Sequence, residues 1–267
     1  MKKSVILIMV VFLICSLFII ETLASGDTLE KIVKSGTVKV GFCVDIPPIK
    51  FRDQNNKPAG LCADLAEAFA RDLGVKLEYV FSDWAGLIPM LLSNRSDIIF
   101  GNMSATLERA KMVNFSDTWL VQSIFVIVRN DSEWKSYKDL NREDVNIGCN
   151  MGTISETTFK KFIPKAKLMT YTTNVEQYLA LEQGRIEAVA NETIYAKAQV
   201  SRSEGKLRML PEPLAADPWG FTLRADDFHF LTWTNLWLRH LKDSGEYDKM
   251  LNYWLTDEWK KDYPDYS

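Results

Sequence analysis

The feature that most limits the fold is an alternation that runs through the first half of the chain. Val38-Lys39-Val40-Gly41-Phe42 reads as a strand. Leu61, Leu65, Ala66, Phe69, Ala70 and Leu73 then recur at helical spacing, and Gly74 closes that helix. Leu77 to Phe81 returns to strand, and Leu87, Ile88, Leu91 and Leu92 to helix. Ile98-Ile99-Phe100 is a short apolar run with the look of a buried strand. Strands that alternate with helices need crossover connections, and these build a sheet with parallel neighbours. A short helix around Leu29–Val33 ended by Gly36 precedes the first strand. Pro47-Pro48 breaks it, and Gln54-Asn55-Asn56-Lys57 predicts a turn.

The stretch Asp97–Arg109, DIIFGNMSATLER, carries the first candidate site. Its strand ends in the small polar turn Gly101-Asn102-Met103-Ser104. Thr106 stands where a helix N-cap belongs, with Glu108 in the first turn and Arg109 at the third helical position. A strand feeding a helix start points backbone N–H groups at the strand's carboxyl end, where open α/β sheets bind ligands. An arginine fixed there presents a planar two-pronged donor suited to a carboxylate. The stretch alone also fits a surface arginine paired with a nearby acid.

Further on, Ser123 to Val128 reads as a strand leaving the first lobe, and Asn146-Ile147-Gly148-Cys149 as another. The latter runs into Gly152-Thr153-Ile154-Ser155-Glu156, a loop opening a helix with Ser155 as N-cap and a second possible anion site. Val175 to Gln183 is a helix capped by Gly184. Glu187 to Ala190 is a strand with Asn191 and Glu192 at its carboxyl end. A carboxylate in that place suits a ligand ammonium, though a solvated loop acid reads the same. Lys206–Leu210 and Phe221–Arg224 are further strands. Leu231–Leu241 and Tyr247–Leu255 are Trp-rich amphipathic helices, with Trp233 and Trp237 on one face and aimed at the core.

Composition excludes several classes. The net charge is −3 over 267 residues, with Lys and Arg dispersed, so nucleic acid is not the expected partner. Lys2 and Lys3 precede an uncharged apolar run from Val5 to Ile20, followed by small residues around Ala24 and Ser25. This predicts a signal peptide over residues 1–24 and a periplasmic or other extracytoplasmic destination; the length of the run leaves an uncleaved membrane anchor as the alternative. Cleavage removes Cys15. Cys43, Cys62 and Cys149 remain, and a Cys43–Cys62 bridge with one free thiol is the expected pairing. His229 and His240 have no ligand cluster around them, so no metal is predicted. No cofactor is predicted either: the chain shows no Gly-rich phosphate loop and no Ser/His/Asp set.

Several segments resemble one family in the same order. They are VKVGF…PPIKF (38–51), GLCADLAEAFARDLG (60–74), DWAGLIPMLLS (83–93), ATLERAKMVNFSDTW (105–119), GTISE (152–156), GRIEAVANE (184–192) and YDKMLNYWL (247–255). Together they resemble the amino-acid family of ABC-transporter substrate-binding proteins, the periplasmic Venus-flytrap domains. The resemblance implies an α/β fold of two lobes, each a mainly parallel sheet flanked by helices, joined by two crossing hinge strands. Lobe 1 would take residues 28–122 and 220–267, and lobe 2 residues 123–219. It implies a monomer that captures an α-amino acid in the cleft and delivers it to a membrane permease.

Carried over residue by residue, Arg109 matches the arginine that grips the ligand α-carboxylate. Ser104 and the Asn102 backbone match positions around the α-amino group. Thr153 and the Ile154 N–H match a second-lobe clamp on the carboxylate, and Trp84 an aromatic lining the side-chain pocket. Three positions depart from the pattern. Glu192 stands where an aspartate is usual, Ile46 where a tyrosine is common before Pro-Pro, and Ile154 where a second hydroxyl is usual. Ile46, Trp84 and Ile154 make the pocket less polar, which favours an apolar or aromatic side chain over lysine, arginine or histidine. The same fold resembles cyclohexadienyl (arogenate/prephenate) dehydratases, but the position of their general-acid glutamate is Tyr195 here. A binder of an opine or another amino-acid derivative is the remaining alternative.

Overall fold

The computed structural model describes residues 27–44, 47–256 and 258–266. The leader, Cys15 and Ile46 lie outside them. Asp27 caps α1 (Thr28–Ser35) by accepting the Leu29 N–H at 2.9 Å, and Gly36 ends it at φ 67°. There follow β1 (Thr37–Phe42), a small hairpin of β2 (Phe51–Arg52) and β3 (Pro58–Ala59), α2 (Leu61–Leu73), β4 (Lys76–Phe81), α3 (Leu87–Leu92), β5 (Ile98–Ile99) and β6 (Val113–Phe115). The chain continues through β7 (Leu120–Arg129), β8 (Asn146–Asn150), α4 (Ile154–Phe162), β9 (Lys167–Tyr171), α5 (Asn174–Glu182), β10 (Ala188–Glu192) and α6 (Thr193–Arg202). It closes with β11 (Leu207–Met209), β12 (Ala215–Trp219), β13 (Thr222–Arg224), α7 (Phe228–Asp243) and α8 (Glu246–Leu255).

These strands form two sheets, one per lobe. The first has the order β4-β1-β5-β13-β6. Its β1 runs parallel to β4 and β5, while the returning β13 is antiparallel to β5 and β6. The second has the order β11-β7-β10-β8-β9, with β12 also paired to β7. There β8 is parallel to β9 and β10, and β7 is antiparallel to its partners.

Successive strand residues point to opposite faces, so each sheet feeds two cores. Val40 and Ile98 join Phe69, Phe221 and Trp237 on one side of the first sheet. Ile99 and Val113 join Leu87 and Met90 on the other. In the second sheet Val126, Val128 and Ala190 face one cluster, and Ile127 and Val189 face the next. The Trp-rich C-terminal helix returns to the first lobe: the Phe69 ring lies 4.8 Å from Trp237 and 5.2 Å from Trp233, both edge-on. On the opposite face Gly41 leaves room for its neighbours: a Cβ there would stand 2.9 Å from Met90 Cε, 3.1 Å from Ser96 Oγ and 3.2 Å from Ile99 Cγ1.

The chain passes between sheets twice, after β6 and before β13. The strands at those passages, β7 and β12, pair with each other, Leu120 opposite Trp219 and Ile124 opposite Ala215. Trp119 donates its N–H to the Trp219 carbonyl at 3.0 Å, and its ring stacks 5.7 Å from Phe221. A bridge between Ser104 and Trp219 ties this pair to the loop after β5.

Three local expectations change. Thr106 does cap, accepting the Arg109 N–H at 3.2 Å, but only a single 3-10 turn forms, Arg109–Lys111. The helix stops there because Val113–Phe115 is drawn into the sheet beside β13. The second-lobe helix begins at Ile154 with Thr153 as N-cap residue, so Ser155 lies in the first turn and is buried. All three described cysteines, Cys43, Cys62 and Cys149, are free and buried, so the expected Cys43–Cys62 bridge does not form; Cys43 Sγ instead accepts from Lys50 Nζ at 2.8 Å. Several elements were not read from the sequence, among them β2, β3, β6, β9, β12 and α6. β12 contains Pro218 and Asp217 and lacks strand alternation, which is tolerable because it pairs on one side only. α6 is polar along most of its length and buries only Tyr195 and Ala196.

Candidate functional site

A small, partly open pocket of about 40 Å³ lies between the lobes, room for one or two waters. Trp84 and Asn102 line it from the first lobe; Asn150, Thr153, Asn174, Asn191, Glu192 and Tyr195 line it from the second. The lobes touch at its mouth. Gly152, held left-handed at φ 73°, presents its carbonyl to the first lobe. It accepts Arg109 Nη2 at 3.0 Å and Trp84 Nε1 at 3.4 Å.

Arg109 is set by its own loop. Its N–H is held by Thr106, and its Nη1 donates to the Ser104 carbonyl at 2.9 Å. Burial lowers the guanidinium's hold on its proton, while Asp217 and Glu192 raise it. The group is thus a half-buried cation facing two carboxylates, and it stays charged. Its Cζ lies 5.6 Å from the Trp84 ring centroid.

Glu192 ends β10 and is 8% exposed. Behind it lies a bed of side-chain amides. Asn191 Nδ2 donates to Tyr178 Oη at 3.2 Å and to Asn174 Oδ1 at 3.3 Å, and Gln177 Nε2 donates to Asn174 Oδ1 at 2.5 Å. Turned to satisfy its surroundings, the Asn150 amide donates to the Thr173 carbonyl at 2.9 Å and accepts the Asn174 N–H at 3.2 Å. Across the pocket, Asn102 Oδ1 is buried without a hydrogen-bond partner. An orphan acceptor in a cleft wall is costly by itself and fits a ligand N–H donor.

Thr153 is in the wall as expected, but both its N–H and its hydroxyl go to the Asn150 carbonyl, at 3.3 and 2.7 Å. It can clamp a carboxylate through those groups only after letting that carbonyl go. Ile154 supplies the first N–H of α4, which has no partner inside the helix. Its side chain packs toward the second-lobe core, away from the pocket lining. Ile46 lies outside the described residues. Ser104 is buried, and its hydroxyl bonds to Asp217. The structure therefore gathers Trp84, Asn102, Thr153 and Glu192 around the pocket, with Arg109 and Ser104 joined to them at its mouth.

Two site residues escaped the sequence reading. Asp217, on β12, is 1% exposed and accepts Trp219 Nε1 at 2.7 Å. Burial pushes its carboxyl up, against the pull of Trp219, Ser104 and Arg109. The only sequence signal was an acid beside a proline in an otherwise apolar run. Lys50 is fully buried, and its Nζ stands 4.9 Å from the Trp84 ring centroid. A larger hollow of about 800 Å³ on the first lobe shares no residue with this site. In it Arg224 pairs with Asp227 at 3.0 Å, and the Asp27 carboxylate contacts His229 Nδ1.

Two sheets linked by paired strands, with a pocket between them lined from both sides, make a two-lobed fold with its cleft at the junction. The chain belongs to the bacterial extracellular solute-binding proteins, family 3, matched over residues 38–257. It is a binding protein, as the family is. It is similar to the crystallised ancestral amino acid-binding protein AncCDT-1, a precursor of cyclohexadienyl dehydratase, at 36% identity and TM-score 0.79, covering 86% of this chain and all of that one. A variant of the arginine-binding protein ArgBP from T. maritima is 32% identical with TM-score 0.78, covering 85% and 99%. The cyclohexadienyl dehydratase of Pseudomonas aeruginosa is 24% identical over 245 residues, 88% of this chain and 89% of that enzyme. No described helix is long and apolar enough to cross a membrane.

Proposed function

We propose that this protein, exported by its leader, captures an α-amino acid between its lobes as a monomer and delivers it to the permease of an ABC transporter. The observation that carries the reading is the meeting of Arg109 and Glu192, opposite charges from opposite lobes, at one pocket. Arg109 takes the ligand carboxylate. Glu192 and the Asn102 amide oxygen take the ammonium. The Ile154 N–H adds a second-lobe donor. Trp84 forms the side-chain wall, which favours a neutral apolar or aromatic side chain; the asparagine bed opposite adds acceptors and donors for a polar group.

The dehydratase alternative is disfavoured by Tyr195, which brings a phenol to the pocket where that chemistry uses a carboxylic acid. The test is a thermal-shift screen of refolded, ligand-stripped mature protein with the twenty amino acids, several opines, prephenate and arogenate. A ligand that binds only the folded state raises the melting temperature. A shift confined to amino acids supports capture. A shift with opines or cyclohexadienyl acids alone overturns it.

A further inference from the structure

β12 does more than complete the hinge. Its Asp217 is 1% exposed, and a carboxylate so deeply buried is costly unless fixed partners compensate it. Those partners come from two directions. On its own strand, Asp217 Oδ2 accepts Trp219 Nε1 at 2.7 Å, and the Trp219 ring is fully buried, 5.4 Å from Trp119. The carboxylate is therefore anchored to an indole that packing holds still. From the first-lobe site, Arg109 and Ser104 both favour its charged form. The relation is mutual: two acids help keep Arg109 charged, and Asp217 acts more strongly than Glu192. The guanidinium is thus paired chiefly with a hinge-strand carboxylate that stands outside the pocket lining.

The backbone follows the same path. The Ser104–Trp219 bridge is flanked by two hydrogen bonds, Ala105 N–H to the Pro218 carbonyl at 2.8 Å and Gly220 N–H to the Met103 carbonyl at 3.1 Å. The Ser104 carbonyl then accepts Arg109 Nη1 at 2.9 Å, while Nη2 reaches the Gly152 carbonyl on the other lobe. One continuous set of contacts runs from the hinge strand, through the loop after β5, to the cleft. A long arginine side chain loses much rotamer freedom when it is fixed, and fixing it before the ligand arrives strengthens binding.

We infer that Asp217 is a positioning residue of this site: from the hinge strand it holds the Arg109 guanidinium toward the cleft, so that a ligand carboxylate meets a cation already in place. The inference rests on the amino-acid reading above and adds the residue that prepares its carboxylate end. It also carries a distinctive sign. A buried acid that merely added negative field would repel the ligand carboxylate, and neutralising it would tighten binding. Neutralising a positioning acid does the opposite, because Arg109 is loosened.

Asp217→Asn keeps the volume and an acceptor for Trp219 but removes the charge. Calorimetry on wild type, Asp217→Asn, Arg109→Ala and the double variant, with the best amino acid of the screen and its deaminated acid, tests this. Asp217→Asn, checked for folding by its melting curve, should raise Kd by about fivefold or more for both ligands, and in the Arg109→Ala background by less than about twofold, since no guanidinium is left to position. A merely structural role would lower the melting temperature and leave the Kd of the folded protein unchanged. Unchanged or tighter binding by folded Asp217→Asn overturns the inference. So does a loss that persists without Arg109, or one confined to the amino acid, which would place Asp217 at the ammonium. If Asp217→Asn does not fold, Trp219→Phe decides in its place. That variant keeps an aromatic ring and removes the N–H that anchors the carboxylate, so Kd should rise about threefold or more for both ligands; an unchanged Kd overturns the inference. Failure of every amino acid to bind wild type refutes the amino-acid reading itself, and the inference with it, an outcome distinct from a loss of the wrong sign or one independent of Arg109.

Discussion

Removing the Arg109 guanidinium is the sharpest test of the site. In Arg109→Ala the ligand carboxylate enters the cleft with no cation opposite it, while Glu192 and Asp217 remain nearby. Truncating one partner of a buried charge pair costs about 2–5 kcal/mol. Arg109 is only half-buried, which places the expected loss toward the lower end, about 2–3 kcal/mol, or about 30- to 150-fold in Kd at 1.4 kcal/mol per factor of ten. The structure also separates charge from geometry. Nη1 and Nη2 already diverge, one to Ser104 within the lobe and one to Gly152 across the cleft, at 2.9 and 3.0 Å. Lysine keeps the charge and cannot serve both directions, so Arg109→Lys should fall between wild type and alanine. Calorimetry with the best ligand of the screen gives all three constants. A Kd for Arg109→Ala within threefold of wild type refutes the assignment. Equal losses for Ala and Lys would mean that the fork, not the charge, does the binding.

Glu192→Gln should weaken amino acids by tenfold or more while barely affecting the corresponding deaminated acids; equal losses for both, in paired titrations, contradict its role at the ammonium. Phe69→Ala removes a ring packed against Phe100, Phe230, Trp233 and Trp237, and should cost about 3–5 kcal/mol in urea unfolding. A loss under 1 kcal/mol would show that α7 does not depend on it. Asp64, whose Oδ2 accepts Trp254 Nε1 at 2.5 Å, has its carboxyl pushed by burial from 3.8 up to about 6. The folded state therefore binds this proton more tightly than the unfolded chain, and stability falls as pH rises between about 4 and about 6. The change is at most about 3 kcal/mol, one pKa unit being 1.36 kcal/mol. Asp64→Asn should flatten that part of the pH–stability profile, and an unaltered slope counts against the shift.

What could be read in the sequence depended on how local its cause was. The strands at Val38–Phe42 and Leu77–Phe81 and the helix at Leu61–Leu73 were legible because one sheet or helix face sets the spacing of their apolar residues. Gly36 and Gly74 were legible as helix ends because the left-handed backbone selects glycine. The length of the turn at Arg109 was not, because it is decided by the pairing of Asn114 with Leu223, far away in sequence. β12 was hidden for the same reason: Ala215–Trp219 is a strand only because β7 lies beside it. At the site, Arg109, Trp84 and Glu192 stood in recognisable motifs. Asp217 and Lys50 did not, since each matters through what it is buried against. The Cys43–Cys62 pairing failed because cysteine counting ignores the neighbour that Cys43 has, Lys50.

The contacts across the cleft explain why a ligand, rather than the lobes alone, should hold them closed. Arg109 meets the second lobe through the Gly152 carbonyl, a neutral acceptor. A carboxylate in that place forms a charge-assisted bond about twice as strong. Glu192, already drawn to Arg109 across the gap, gains likewise from an ammonium placed beside it. Hydrogen bonds to charged groups contribute about 1.5–3 kcal/mol each, so the two ends of a zwitterion supply about 3–6 kcal/mol of preference for the closed form. Moving a two-state equilibrium from 1:99 to 99:1 takes about 5.5 kcal/mol. Both ends are therefore needed for full closure. A ligand carrying only the carboxylate should bind through Arg109 and leave a large fraction of molecules open, which small-angle scattering with the deaminated acid at saturation would reveal. Scattering indistinguishable from that of the amino-acid complex would show that one charge suffices and that Glu192 is not part of the latch.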